Sequence, residues 1–321
     1  MSAGILENDT MFSVKEKPWQ GLGTVVENAP SVKEAIHLAG LDWQAELKPL
    51  QTLDGDNVET HKAVFRNDNN TLLGVVGSQY KPLQNTDAFS WFEPFVENGL
   101  VTLETAGSLF NGKKVFILAN TKAEADVVAG DTVQSYILLS NSHDGSSSVK
   151  VGFTPIRVVC NNTLTCAENN DLSKLIRIRH TNSVVENLKL VRDIMDTVNN
   201  QFTATVEQYK YLATKDVNIL DLQKYVKQVF SEAKLEDIIR SYDNKLQEKE
   251  EIEKFRKNLM NKVEEYFELE PARKAWNMYN AVNSYLNHDR GRTLETRYNS
   301  TWFGSNQRLD KKAFQLALKA Y

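Results

Sequence analysis

Near residue 182 the spacing of apolar residues along this chain changes from two to three or four. Before it, KAVFRNDNNTLLGVVG alternates around an NDNN turn, and LVTLETAGSLFNGKKVFILANT sets Asn111-Gly112 between two β-rich arms, both hairpin signals. After it, Val184, Leu188, Val191, Met195, Val198 and Phe202 recur at helical spacing. A period of two needs a sheet with a covered face, and a period near 3.6 needs helices packed along one stripe. The expected fold is therefore α+β: an antiparallel sheet with packed helices over 1–181, then a mostly helical region over 182–321.

Local signals refine this outline. In SVKEAIHLAG, Ser31 and Glu34 have capping-box spacing, Val32, Ala35, Ile36 and Ala39 form a stripe, and Gly40 suits the stop. NTDAFSWFEPFVENG reads as one helix capped near Asn85 or Thr86, kinked or stopped at Pro94, with an exit at Gly99. QSYILLSNS and SVKVGFTPIRVVC read as further strands. Leu220, Leu222, Val226, Val229 and Phe230 predict another amphipathic helix. QEKEEIEKFRKNLMNKVEEYF predicts a solvated one, with Ile252, Phe255, Leu259 and Val263 on its buried stripe.

Composition narrows the class. Hydrophobic residues make up 41% and charged residues 25%, ordinary values for a soluble protein. No apolar run is long enough to cross a bilayer and MSAGILENDTMF lacks a signal-peptide pattern, so an intracellular, cytoplasmic protein without a membrane partner is expected. Only Cys160 and Cys166 occur, too few for a disulfide framework and too widely spaced for a CxxC zinc or redox pair. The net charge of -4 excludes a uniformly basic nucleic-acid binder, but the charge is uneven. Residues 149–180 hold five Lys/Arg against two Asp/Glu, and 288–321 hold seven against three.

The polar run NSHDGSSSVKVGFTPIRVVCNNTLTCAE invites enzymatic readings. Ser146 to Ser148 lie beside His143 and Asp144, yet no GxSxG elbow accompanies them, and adjacency in sequence does not align a nucleophile with its base. Cys160 sits in an apolar alternating VVC context, where a cysteine is usually a small buried hydrophobe, and the same reading holds for Cys166. His143, Asp144, His180, His288 and Asp289 could contribute to a metal nuclease, but no HExxH or paired-carboxylate motif joins them. His143-Asp144-Gly145 reads better as a turn. Neither GxxxxGK nor GxGxxG occurs, so no cofactor, no resident metal and no catalytic residue are expected.

Anion recognition is the reading that remains. Lys150 and Arg157 bracket an extended segment, Asn161 and Asn162 follow it, and SKLIRIRH alternates Lys174, Arg177 and Arg179 with apolar residues before His180. One basic face of such a strand would follow a phosphate backbone. Arg290, Arg292 and Arg297 near Trp302 add guanidinium groups beside an aromatic surface, the combination that grips single-stranded nucleic acid. The competing reading makes these groups a salt-bridged surface and a tail anchor, with Trp276 in the core.

PWQGLGTVV and AGLDW, GVVGSQYKPLQNTDAF, NSHDGS, PIRVVCNNTL, AWNMYNAVNSYLNHDRGR and STWFGSNQRLDKKAFQLA together resemble the phage/plasmid-like family built on the domain of unknown function 932. That resemblance implies a bacterial cytoplasmic setting and a mobile-element role in DNA metabolism or in conflict with the host. It supplies no reaction. The order of hairpins and helix is also loosely similar to the core of Rad52-like single-strand annealing proteins, an analogy of fold. The expected function is single-stranded DNA binding or annealing in recombination or replication, as a possible homo-oligomer. Binding of a host protein as an anti-defence factor is the alternative, and a metal-dependent nuclease the third reading.

Overall fold

A computed structural model of the chain describes residues 10–15, 23–146, 149–157, 184–230, 249–291, 300 and 305–321. It is α+β with a helical C-terminal region, as the change of period implies. The strands form two sheets. The larger is six-stranded in the order β2-β1-β6-β7-β8-β9, from β1 (Met11–Val14), β2 (Thr24–Val26), β6 (Thr102–Leu109), β7 (Lys114–Val128), β8 (Asp131–Ser142) and β9 (Lys150–Arg157). It is mixed rather than wholly antiparallel, because β1 pairs parallel to β2 and antiparallel to β6. The smaller sheet has the order β3-β4-β5, from β3 (Ala45–Gln51), β4 (Asn57–Arg66) and β5 (Leu72–Gly77).

Both expected hairpins are present. β4 and β5 pair antiparallel around the NDNN turn, where Asn70 takes φ 56°. β6 and β7 pair antiparallel around Asn111-Gly112. Helix α1 (Val32–Leu38) carries the expected capping box, with Ser31 and Glu34 serving each other's backbone N–H. NTDAFSWFEPFVENG departs from expectation by forming two helices, α2 (Asn85–Ser90) and α3 (Glu93–Glu97). Pro94 lies in the first turn of α3, where its missing N–H breaks no helical bond, so it begins a helix instead of ending one.

By its contacts the chain divides into two units, one of Met1–Ala123, Gln134–Thr154 and Ala167–Gln201, the other of Glu124–Val133, Pro155–Cys166 and Phe202–Tyr321. In the first, the core lies on β6, β7 and β8, whose buried residues include Leu103, Phe116, Ile117, Leu118, Ile137 and Leu139. Consecutive buried positions mean that both faces of these strands are covered. The smaller sheet differs. Its β4 residues Val64 and Arg66 are buried, whereas on the opposite side Leu72 and Val75 are 49% and 52% exposed beside Phe65 and Lys48.

The second unit is built on α4 (Val184–Thr214), which begins in the first unit, α5 (Ile219–Val229), α6 (Lys249–Leu269), α7 (Ala275–His288) and α8 (Ser305–Ala320). α7 is its core. Trp276 and Tyr279 stack with Tyr209 and Phe314, and Trp276 Nε1 donates to buried Asp131 at 2.7 Å, so Trp276 is a core residue as the helical spacing implied. Buried Asp310 accepts from Asn283 at 2.7 Å and Tyr279 at 3.3 Å. Leu220 was expected on the apolar stripe of α5 but is 61% exposed. Buried Leu222 is two positions further on, a rotation of about 200° that puts the two on opposite sides of a helix.

Candidate functional site

β8 stays buried through Ser142, and the chain then turns over His143 to Ser146. Asp144 Oδ1 accepts the Ser146 N–H at 2.8 Å and also the Ser142 hydroxyl, while Gly145 takes φ 75°. This is a carboxylate-stabilised turn with glycine at the left-handed position, as the His-Asp-Gly reading proposed. Burial pushes the Asp144 carboxyl up, but hydrogen bonds from Ser142 and Ser146 and the charge of Lys114 outweigh it and hold the group below its usual range.

The stretch from Gly74 to Asn85 runs against this turn, contact by contact. A side chain at Gly74 would meet Asp144 Cα at 2.7 Å, so the two backbones approach as closely as they do only because Gly74 has none. Gly145 lies over Val76, Tyr80 Oη donates to the Ser142 carbonyl at 3.1 Å, and Asn141 Nδ2 donates to the Leu83 carbonyl at 3.1 Å. His143 Nε2 meets Asn85 Oδ1 at 3.0 Å. Asn85 is no helix cap: its Nδ2 donates to the Leu41 and Trp43 carbonyls at 3.2 and 3.3 Å, which ties the AGLDW segment to the same node. Gln84 adds two bonds, to both backbone polar groups of Ala45.

These bonds determine the histidine's protonation. Because the Asn85 amide nitrogen faces two carbonyls, its Oδ1 is the atom facing His143 and must accept; His143 Nε2 therefore carries the hydrogen. Burial drives the His143 pKa down to about 4; Asp144 opposes this and Arg66 adds to it. The ring is neutral near pH 7, leaving Nδ1 with a lone pair that has no hydrogen-bond partner among the described residues. Trp43 packs on the ring at 5.1 Å in an edge arrangement, and its buried Nε1 likewise has no partner among the described residues. The Arg66 guanidinium covers the indole at 4.5 Å and pairs with Asp68 at 2.7 Å.

Chemically the node is a clasp. No described serine contacts His143: the Ser142 hydroxyl serves Asp144 and lies 3.0 Å from Ser146 Oγ. Ser147 and Ser148 lie outside the described residues. Among the described residues no group of three or more His, Cys, Asp or Glu is placed to hold a metal ion. His288 and Asp289 end α7, where Tyr266 donates to Asp289 at 2.6 Å.

The basic residues singled out in the sequence fall in three groups. Lys150 and Arg157 are the first and last residues of β9, which with β2 forms the two edges of the six-stranded sheet among the described residues. Arg290 follows α7, is 7% exposed and donates to Ser305 Oγ at 3.1 Å, an arrangement that joins α7 to the start of α8. Asn161, Asn162, Lys174, Arg177, Arg179, His180, Arg292, Arg297 and Trp302 lie outside the described residues, as do Cys160 and Cys166.

The chain belongs to the family defined by the domain of unknown function DUF932, whose model matches residues 72–313. The matched span includes both halves of the clasp, Gly74 to Asn85 and Asn141 to Gly145, while Leu41, Trp43 and Arg66 precede it. No curated protein and no solved structure matches the chain, so the looser likeness to Rad52-like cores draws no support from that side. Among the described residues no helix is long and apolar enough to cross a membrane.

Sequence reasoning named His143 and Asp144 but not their partners Gly74, Asn85, Trp43 and Arg66. One signal was available for Gly74. A glycine inside the apolar run LLGVVG marks either a bulge or a close backbone approach, and here it marks both, since the β4–β5 register shifts at Val64/Phe65.

Proposed function

We propose that this chain is a nucleic-acid-binding protein of a phage- or plasmid-derived system in the bacterial cytoplasm, with single-stranded DNA as its favoured ligand and recombination or replication as its setting. The observation that supports this most is β9: among the described residues an edge strand that begins with Lys150 and ends with Arg157, and is followed in sequence by the basic run holding Lys174, Arg177 and Arg179. Pro155 within it suits a strand at the edge of the sheet formed by the described residues. Binding would rest on capture of phosphates by these cations, with strong salt dependence and little sequence preference. The metal-nuclease reading draws no support from the clasp, because His143 is buried and committed to Asn85.

A second reading, capture of a host protein, is favoured by one specific observation. Leu72 and Val75 are exposed beside Phe65 on the outer face of the smaller sheet, an apolar patch of the kind that marks protein contacts.

A salt titration of binding to labelled single- and double-stranded DNA separates the two. Single-stranded DNA binding that weakens steeply with salt, with a shallower slope in Arg157→Ala and in the Arg177→Ala/Arg179→Ala pair, supports the proposal. Absence of binding at low salt rejects it in favour of the protein partner.

A further inference from the structure

The hairpin loop between β6 and β7 is built in an unusual way. Phe110, Asn111 and Gly112 all have positive φ, 61°, 59° and 89°. Asn and Gly adopt the left-handed region readily; a bulky aromatic residue does not. The loop is also braced from beneath. A side chain at Gly112 would meet Trp43 at 2.8 Å and Arg66 at 3.3 Å, and the Lys113 carbonyl accepts the His143 N–H at 2.8 Å. The loop that carries Phe110 therefore rests on the clasp through Gly112 and Lys113. Beside the half-buried Phe110 ring come two cations in succession, Lys113 and Lys114, with Lys114 Nζ 6.0 Å from the ring centroid.

Topology brings a third cation to this end of the sheet. β8 returns alongside β7 after the Ala129-Gly130 turn, so its last residues lie beside the first residues of β7. The connection 143–149 is too short for a parallel crossover, so β9 starts at that same end, and its first residue is Lys150. Of the acidic groups nearby, Asp144 is bonded by Ser142 and Ser146 and feels the charge of Lys114, and Asp68 pairs with Arg66.

We infer that the β6–β7 loop is a contact point for a single nucleic-acid strand, with the Phe110 ring stacking on a base while Lys113 and Lys114 take the flanking phosphates. This rests on the nucleic-acid reading above and assigns it a base-contacting residue outside both basic blocks of the sequence. The left-handed backbone at Phe110 is then the conformation that presents the ring, retained although asparagine or glycine would relax it.

The test is fluorescence anisotropy with a labelled oligothymidine across a salt series, alongside thermal melts of each variant. Phe110→Ala is expected to weaken binding roughly 5- to 100-fold with the salt slope unchanged, and Phe110→Trp to retain affinity. Lys113→Ala with Lys114→Ala is expected to lower the slope by about 1 to 2. Phe110→Asn is the deciding variant: it should melt at or above the wild-type temperature and still lose affinity, a combination that a purely structural phenylalanine does not give. Wild-type affinity in a folded Phe110→Asn protein overturns the inference while leaving the nucleic-acid reading intact. Failure of the wild type to bind at low salt overturns both.

Discussion

His143 donates from Nε2 to Asn85 Oδ1 at 3.0 Å across 58 residues of sequence, and the orientation of the Asn85 amide forces that direction. The bond fixes the tautomer of an imidazole that burial keeps neutral, so its Nδ1 carries no proton.

A pH dependence of stability follows. The folded His143 pKa of about 4 lies below the ordinary value of 6.5, so between these values the unfolded chain binds a proton that the folded chain refuses. This contribution is fully present above pH 6.5 and is lost as pH falls through about 4, approaching about 3 kcal/mol in total. Asp144, held below its usual range, adds a further loss only at still lower pH. Denaturant melts at pH 7, 6 and 5 should show the decline in wild type and a flatter profile in His143→Gln. Equal slopes in the two proteins would remove His143 as the cause.

Two glycines of β5 should respond oppositely to the same change. A methyl group at Gly74 meets the Asp144 backbone, which cannot swing aside, whereas one at Gly77 meets nothing within 4 Å. Gly74→Ala is expected to cost about 1–3 kcal/mol and Gly77→Ala close to nothing, read as melting temperatures. Asp144→Ala should not rescue Gly74→Ala, because the nearest atoms are backbone.

Trp43 tests packing against hydrogen bonding. Its ring contacts both His143 and Arg66, but its Nε1 has no partner among the described residues. Trp43→Phe keeps most of the packing and deletes the unpaired donor, so it should fall within about 1–2 kcal/mol of wild type. Trp43→Ala opens a cavity and should lose about 3–5 kcal/mol. Similar losses for both would mean that the N–H is bonded in solution.

Helix α5 offers a contrast within one turn. Leu222→Ala removes a fully buried side chain and is expected to lose about 2–5 kcal/mol, whereas Leu220→Gln changes an exposed one and should stay within about 0.5 kcal/mol. Parallel urea titrations measure both.

Elements set by local chemistry were legible in the sequence, and contacts set by distant chain segments were not. The Ser31–Glu34 capping box and the Asn111-Gly112 hairpin each depend on a few neighbouring residues, and both stand as expected. The partition of strands into two sheets, and the parallel β1–β2 pair, depend on pairings that no local pattern reveals. Asn85 illustrates the limit: its type and position suggested a helix cap, but two carbonyls over 40 residues away claim its side chain. Leu220 illustrates another, since apolar character alone does not assign a residue to the buried face.

The clasp between Gly74–Asn85 and Asn141–Gly145 also bears on how the molecule comes into being. During synthesis from the N-terminus, Trp43, Arg66 and Asn85 emerge well before the turn that completes their contacts, and the β4–β5 and β6–β7 hairpins can close first from neighbouring residues. Until residue 145 leaves the ribosome, the inner face of the smaller sheet has no partner for Gly74 or Val76. The nascent chain thus carries an uncovered apolar surface over roughly the length separating the two halves of the clasp, an interval in which a chaperone would find its binding site.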